Sequence, residues 1–302
     1  MAITFPSPTK TFHSDVYSTI HPTRPELSAK GKNVLITGGG TGIGAETARS
    51  FAQAGAARIA LVGRREQPLL DTKASILEKH PDIEVITAPT DVTKQSEVDA
   101  AFAKFLGEDG KLDILVSNAA VSGPRENVSE ADPNYFLEGI QQNLGGALWV
   151  SRAFTRYASP NATVVNVSSS AAHMNFGGLF ASYSVAKWSV YRLWDLVGHQ
   201  SPNLRVFHIQ PGIVDTAMNR EAGGIAASGH EDKASLPAGF MVWLASPEAE
   251  FLKGKFLWTN WDVDELKAKA EEIQNGSFLN LDLVGWPFND TGSKYVGEDW
   301  KW

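Results

Sequence analysis

Asn33-Val34-Leu35-Ile36-Thr37-Gly38-Gly39-Gly40-Thr41-Gly42-Ile43-Gly44 joins a short apolar run to a cluster of glycines. Asn33 to Thr37 has the composition of a strand buried on both faces, and Gly42 to Ala54 reads as a helix stopped by Gly55. A glycine-rich turn between a buried strand and a helix is the setting of a dinucleotide fingerprint. Gly38 permits the tight turn, Gly42 a close approach of backbone to a pyrophosphate, and Gly44 close packing of helix on strand. Backbone N–H groups from Thr41 to Gly44, Ile43 included, would meet the phosphates at the positive end of the helix. The spacing is Gly-x-x-x-Gly-x-Gly, and no Gly-Lys-Ser/Thr follows, which argues against a nucleoside-triphosphate loop.

Outward from this turn, strands and helices alternate. Strands are predicted at Arg58–Gly63, Ile83–Thr87, Leu112–Ser117, Thr163–Val167, Leu204–Ile209 and Lys255–Trp258. Helices are predicted over Glu66–Lys79, Thr93–Leu106, Pro133–Arg156, Tyr183–Val197 and Leu236–Ala245. Such alternation implies an α/β fold: a doubly wound, Rossmann-like parallel sheet of about seven strands with helices on both faces. Residues 1–30, with Pro22 and Pro25, form an extension that packs on the domain or stays mobile. Residues 31–302 read as one domain ending in a Trp-rich tail that holds Trp258, Trp261, Trp286, Trp300 and Trp302. Packing is the favoured role for that tail. Asn219 to Ser235, rich in Gly and Ala, is the candidate for a mobile lid.

Composition removes several classes of function. The net charge is −7, which argues against a general nucleic-acid binder. Without cysteine there are no disulfides, thiolate nucleophiles, zinc–thiolate sites or iron–sulfur clusters. The seven histidines are scattered with no His-x-x-x-His pair, so nothing calls for a metal. The first residues lack a secretory apolar segment, and no run approaches the roughly 18 apolar residues of a membrane span; a cytosolic protein is expected.

The candidate chemistry lies in Ser182-Tyr183-Ser184-Val185-Ala186-Lys187. Tyr183 and Lys187 are four residues apart on one helix face. An ammonium beside a phenol is expected to lower the phenol's pKa from about 10 and suit it to proton exchange with a carbonyl or alcohol oxygen. After the second strand stands Gly63-Arg64-Arg65 where an acidic residue would bind the ribose of NAD. A guanidinium suits a 2′-phosphate, so NADP is favoured over NAD.

Together the residues resemble the classical short-chain dehydrogenases/reductases. The ordered series is Thr37-Gly38 through Gly44, Asp91-Val92, Asn118-Ala119-Ala120, Asn143, Ser168-Ser169-Ser170, Tyr183-x-x-x-Lys187, and Pro211-Gly212 with Thr216. The extension and Trp-rich tail look like fungal ketoreductases. The resemblance implies a catalytic set of Asn143, Ser169, Tyr183 and Lys187. Tyr183 would be the general acid in reduction and general base in oxidation, Lys187 would tune it and bind the nicotinamide ribose, a Ser would hold the substrate oxygen, and Asn143 would support a water relay to Lys187. Cofactor contacts would come from the glycine turn, Arg64, Asp91 and Val92 by the adenine, Asn118, and Pro211, Gly212, Val214 and Thr216 along the nicotinamide. Counting from the end of strand five favours Ser169, whereas counting back from Tyr183 gives Ser170; Ser169 is taken because the strand end is the better-fixed reference. The implied substrate is a small carbonyl or alcohol compound, and the implied assembly a homodimer or homotetramer through the helices containing Asn143 and Tyr183. The alternative is a dinucleotide-binding protein on the same fold that regulates or catalyses without redox turnover.

Overall fold

The computed structural model describes residues 5, 7–175 and 180–283. Its seven strands are β1 (Asn33–Thr37), β2 (Arg58–Gly63), β3 (Glu84–Pro89), β4 (Leu112–Ser117), β5 (Ala158–Val167), β6 (Arg205–Gln210) and β7 (Phe256–Trp258). All pair in parallel in the order β3-β2-β1-β4-β5-β6-β7. The order reverses at β1, which lies between β2 and β4, and in open α/β sheets ligands bind beyond the strand ends at such a switch point.

The helices are α1 (Gly42–Gln53), α2 (Glu66–Leu77), α3 (Gln95–Leu106), α4 (Pro133–Tyr157), α5 (Ala181–Gln200), α6 (Ala217–Glu221), α7 (Gly224–Ser228), α8 (Ser235–Ala245), α9 (Val263–Lys267) and α10 (Ala270–Asn275). Contacts pair α1 with α2 and α8, and α4 with α3 and α5. Period-two alternation along β1 feeds both layers: Val34 and Ile36 pack with Phe51 and Trp243, whereas Leu35 packs with Phe102, Phe154 and Trp194. The α4–α5 contact is centred on Phe154 and Trp194, with ring centroids 6.2 Å apart. Long helix α4 starts where Asp132 accepts a hydrogen bond from Tyr135 N (2.9 Å) and Pro133 takes the first turn.

Most boundaries fall within two residues of the sequence reading, and the larger differences have physical causes. β5 begins at Ala158 rather than Thr163, because its register against β4 shifts between Leu112 and Ile114 and absorbs Pro160 and Asn161, the latter at φ 61°. α5 extends over Ala181–Gln200, past both predicted ends. The predicted lid segment contains the short helices α6 and α7.

The N-terminal segment packs on the domain. Ile20 is fully buried, and Gly239 of α8 admits the close approach: a Cβ there would stand 2.8 Å from Ile20 O and from Val16 Cγ2. Phe12 forms an antiparallel bridge with Trp261, Phe5 packs on Trp258, and both tryptophans are buried. Trp286, Trp300 and Trp302 lie outside the described residues. Among the described residues no helix is long and apolar enough to cross a membrane.

Candidate active site

Every sequence-derived site residue except Asn143, Tyr183 and Lys187 follows the carboxyl end of a strand. Gly38 follows β1, Arg64 β2, Asp91 β3, Asn118 β4, Ser169 β5, and Pro211 to Thr216 β6. Parallel pairing brings these ends to one edge of the sheet.

The glycine turn is sterically determined. Gly38 and Gly42 have φ of +70° and +53°. Gly44 has no room for a side chain, since a Cβ would fall 2.2 Å from Gly38 O and 2.8 Å from Asn118 Nδ2. Asn118 Nδ2 donates to Thr37 O (2.9 Å), and Thr37 Oγ1 accepts from Asn118 N (2.9 Å) and Ala119 N (3.0 Å). The β1 and β4 ends are thereby tied beneath the turn. Thr41 makes no side-chain cap on α1, so the first-turn amides keep their capacity for an anion. A backbone cradle that excludes Cβ atoms at the head of α1 fits a dinucleotide pyrophosphate.

Arg64 is exposed at the end of β2. Nearby, the Asp91 carboxyl is held below the usual carboxylate range, chiefly by the Thr93 hydroxyl (2.8 Å) and amide (3.0 Å), with a smaller contribution from the Arg64 charge. Val92 lies against Gly146 of α4, where a Cβ would stand 2.9 Å from Val92 Cγ2. Thr216 closes over the turn from the β6 side: its Cγ2 lies 3.0 Å from where a Gly42 Cβ would be. Val214 is buried, and Pro211 and Gly212 are half-buried beside it.

On α5, Tyr183 is half-buried with the Ser169 side chain beside its phenol. Ser169 Oγ also accepts from Ala171 N (3.2 Å). Ser170 is anchored otherwise, its N donating to Gln210 Oε1 (2.7 Å). Of the three serines, it is Ser169 whose side chain stands beside the phenol. Lys187 is buried, with Nζ 5.5 Å from the Tyr183 ring centroid and donating to Val167 O (2.8 Å).

The expected lowering of the phenol's pKa is not found in this arrangement. Burial pushes Tyr183 up to about 12, against the downward pull of the Ser169 hydrogen bond. Burial also pushes Lys187 down to about 8. Desolvation penalises both ionised forms and sets the direction of both shifts. At neutral pH the pair is therefore a phenol that still holds its proton and a largely cationic lysine.

Asn143, buried in mid-α4, spends its side chain on backbone. Oδ1 accepts from Val121 N (3.1 Å), while Nδ2 donates to Val121 O (3.0 Å) and Gly139 O (2.7 Å). It pins the segment after β4 to α4. Two residues of this region escaped the sequence reading: Gln210, which fixes Ser170, and Asp232, which binds Ile213 N (2.7 Å). Neither has a local signature, because both act on residues distant in sequence.

The model of the short chain dehydrogenase family matches residues 32–224, more than half of the chain. A short chain dehydrogenase/reductase of Claviceps purpurea is 35% identical over 286 residues, covering 92% of this chain and 95% of that one. Short chain dehydrogenase/reductase AacuD of Aspergillus aculeatus is 33% identical, covering 93% and 98%. Among solved structures, a gluconate 5-dehydrogenase from Burkholderia cenocepacia in complex with NADP and tartrate superposes with a TM-score of 0.68 at 25% identity, over 80% of this chain and 96% of that one. The chain belongs to the short-chain dehydrogenase/reductase family, oxidoreductases that bind a nicotinamide dinucleotide and act on CH–OH and C=O groups.

Proposed function

We propose that the protein interconverts a ketone or aldehyde and the corresponding alcohol with NADP(H), using Tyr183 as general acid in reduction and general base in oxidation. The observation that carries this reading is the Tyr183 phenol with the Ser169 side chain beside it and the Lys187 ammonium buried 5.5 Å from its ring centroid. The bound dinucleotide would supply or accept the hydride. Ser169 and Tyr183 hold the substrate oxygen, and their hydroxyls stabilise the charge that develops on it. Tyr183 releases its proton to that oxygen, and Lys187 stabilises the resulting phenolate. Asn143 keeps the segment after β4 pinned to α4 through its bonds to Val121 and Gly139. The glycine turn holds the pyrophosphate, Asp91, Val92 and Asn118 flank the adenosine half, and Pro211, Gly212, Val214 and Thr216 flank the nicotinamide half. A panel of ketones, quinones and aldehydes assayed for NADPH and NADH oxidation tests the reading; binding of NADPH without turnover on any of them would count against it.

The preference for NADP rests on Arg64, an exposed guanidinium where an acidic residue would select NAD. The bound NADP of the gluconate 5-dehydrogenase supports it by analogy. Arg64→Ser is expected to raise the KM for NADPH by about tenfold to a hundredfold, the worth of one charge-assisted hydrogen bond, and to leave the KM for NADH nearly unchanged. Equal losses for both cofactors would remove Arg64 from the role.

We also place a homodimer on α4 and α5, where Leu148, Val185, Trp188 and Leu196 are exposed. Light scattering is expected to give twice the chain mass, and a Trp188→Glu variant to give the chain mass; a monomeric wild-type chain would contradict this.

A further inference from the structure

Residues 212–232 leave β6 and return toward α8, and the two ends of this loop are locked together. Ile213 N donates to Asp232 Oδ2 (2.7 Å), and Asp232 N donates to Ile213 O (2.8 Å). The second carboxylate oxygen accepts from His230 Nε2 (2.8 Å) and from Asn260 Nδ2 (2.9 Å). The Asp232 side chain is 1% exposed, and a buried carboxylate persists only when donors surround it in this way. Gly212 makes the closure possible: its φ is +88°, and a Cβ would stand 2.6 Å from Asp232 Oδ2. One carboxylate therefore forms the neck from which α6 and α7 project.

The neck is gripped from outside by the N-terminal segment. His13 N donates to Asn260 O (2.7 Å), and Asn260 Nδ2, already on Asp232, also donates to His13 O (2.9 Å). Lys233 N donates to Ser14 O (2.8 Å), and the Ser235 hydroxyl pairs with Asp15. The Phe12 ring meets His230 edge-on with centroids 6.3 Å apart. His13 is itself fixed by Asp262 (2.8 Å) and stacks on Tyr17 at 3.6 Å. From this neck Thr216 reaches over Gly42 of the glycine turn.

We propose that residues 12–15 form a strap that fixes the neck of the loop, with Asp232 and Asn260 as positioning residues that hold Thr216 over the glycine turn. The chain entering the fold thus sets the height of one wall of the cofactor cleft. The effect on cofactor affinity rests on the reading of that turn as the dinucleotide site; the mechanical link does not.

Hydrogen–deuterium exchange of the full-length protein without cofactor tests the link, with NADPH titration as a second readout. Asn260→Ala is expected to speed exchange over residues 213–231 at least tenfold, to leave β4 and β5 unchanged, and to weaken NADPH binding about tenfold while turnover at saturating cofactor stays near wild type. Phe12→Ala, which removes the ring contacts to His230 and Phe5 and leaves the backbone hydrogen bonds of the strap in place, is expected to give the same pattern at about threefold and serves if Asn260→Ala does not fold. Unchanged exchange over 213–231, or a gain spread equally through the sheet, overturns the strap. If neither wild type nor variant binds NADPH, the dinucleotide reading fails and the exchange result alone decides on the strap.

Discussion

Tyr183→Phe is expected to lower turnover about 10²- to 10⁴-fold, the usual worth of a positioned general acid, while leaving NADPH affinity within a few-fold of wild type. The phenol is half-buried beside Ser169, so the variant keeps ring packing and loses only the group that carries the proton. The same account fixes the pH profile of carbonyl reduction. With Tyr183 at about 12 and Lys187 at about 8, lysine is the first of the two to titrate as pH rises. Its neutral form no longer stabilises the phenolate left behind by proton donation. The kcat/KM for reduction therefore falls as pH rises through about 8. A profile flat to about pH 10, or full turnover in Tyr183→Phe, would refute the assignment.

Gly44→Ala is expected to abolish dinucleotide binding by about a hundredfold or more and to lower Tm by about 5 °C or more. The added Cβ would lie 2.2 Å from Gly38 O and 2.8 Å from Asn118 Nδ2, and the first of these is backbone that cannot rotate away. Relief requires α1 to retreat from the ends of β1 and β4, and overpacking of this kind costs about 1–3 kcal/mol, occasionally more. For domains somewhat smaller than this chain each kcal/mol corresponds to about 2–4 °C. Gly55→Ala provides the contrast. Nothing lies within 4 Å of its Cβ position, so only the left-handed φ of +84° is penalised, and cofactor binding should survive. Calorimetry and NADPH titration on both variants check the pair. Equal binding by Gly44→Ala and wild type would show that the turn tolerates a side chain.

The pattern that decides the fold was legible because it is local. β1, the glycine turn and α1 occupy Asn33 to Gln53 without interruption, and each later strand repeats the buried apolar run. The placement of the candidate site residues follows from the same pattern, since all but Asn143 follow strand ends or share one face of α5. Ser169 and Ser170 could not be separated by counting alone; the fold sets the Ser169 side chain beside Tyr183, while the Ser170 backbone is tied to Gln210, 40 residues away. The direction of the Tyr183 shift was misjudged because charge can be read from a sequence, whereas desolvation depends on how much of the fold covers the pair. β5 looked shorter than it is because Ser159, Pro160 and Asn161 are turn residues, and only pairing with β4 draws them into the strand. The strap was invisible for the same reason: His13 and Asn260 are 247 residues apart, and nothing in either neighbourhood marks the other.

The central claim is that hydride passes between a nicotinamide and a carbonyl carbon beside Tyr183. Mass spectrometry of the alcohol formed from a turned-over ketone with NADPH deuterated at the transferable C4 position tests it most directly. Deuterium on the carbinol carbon of the product, at a rate lost in Tyr183→Phe, is the expected result. Product that forms without deuterium from the cofactor, or at an undiminished rate in the variant, would contradict it.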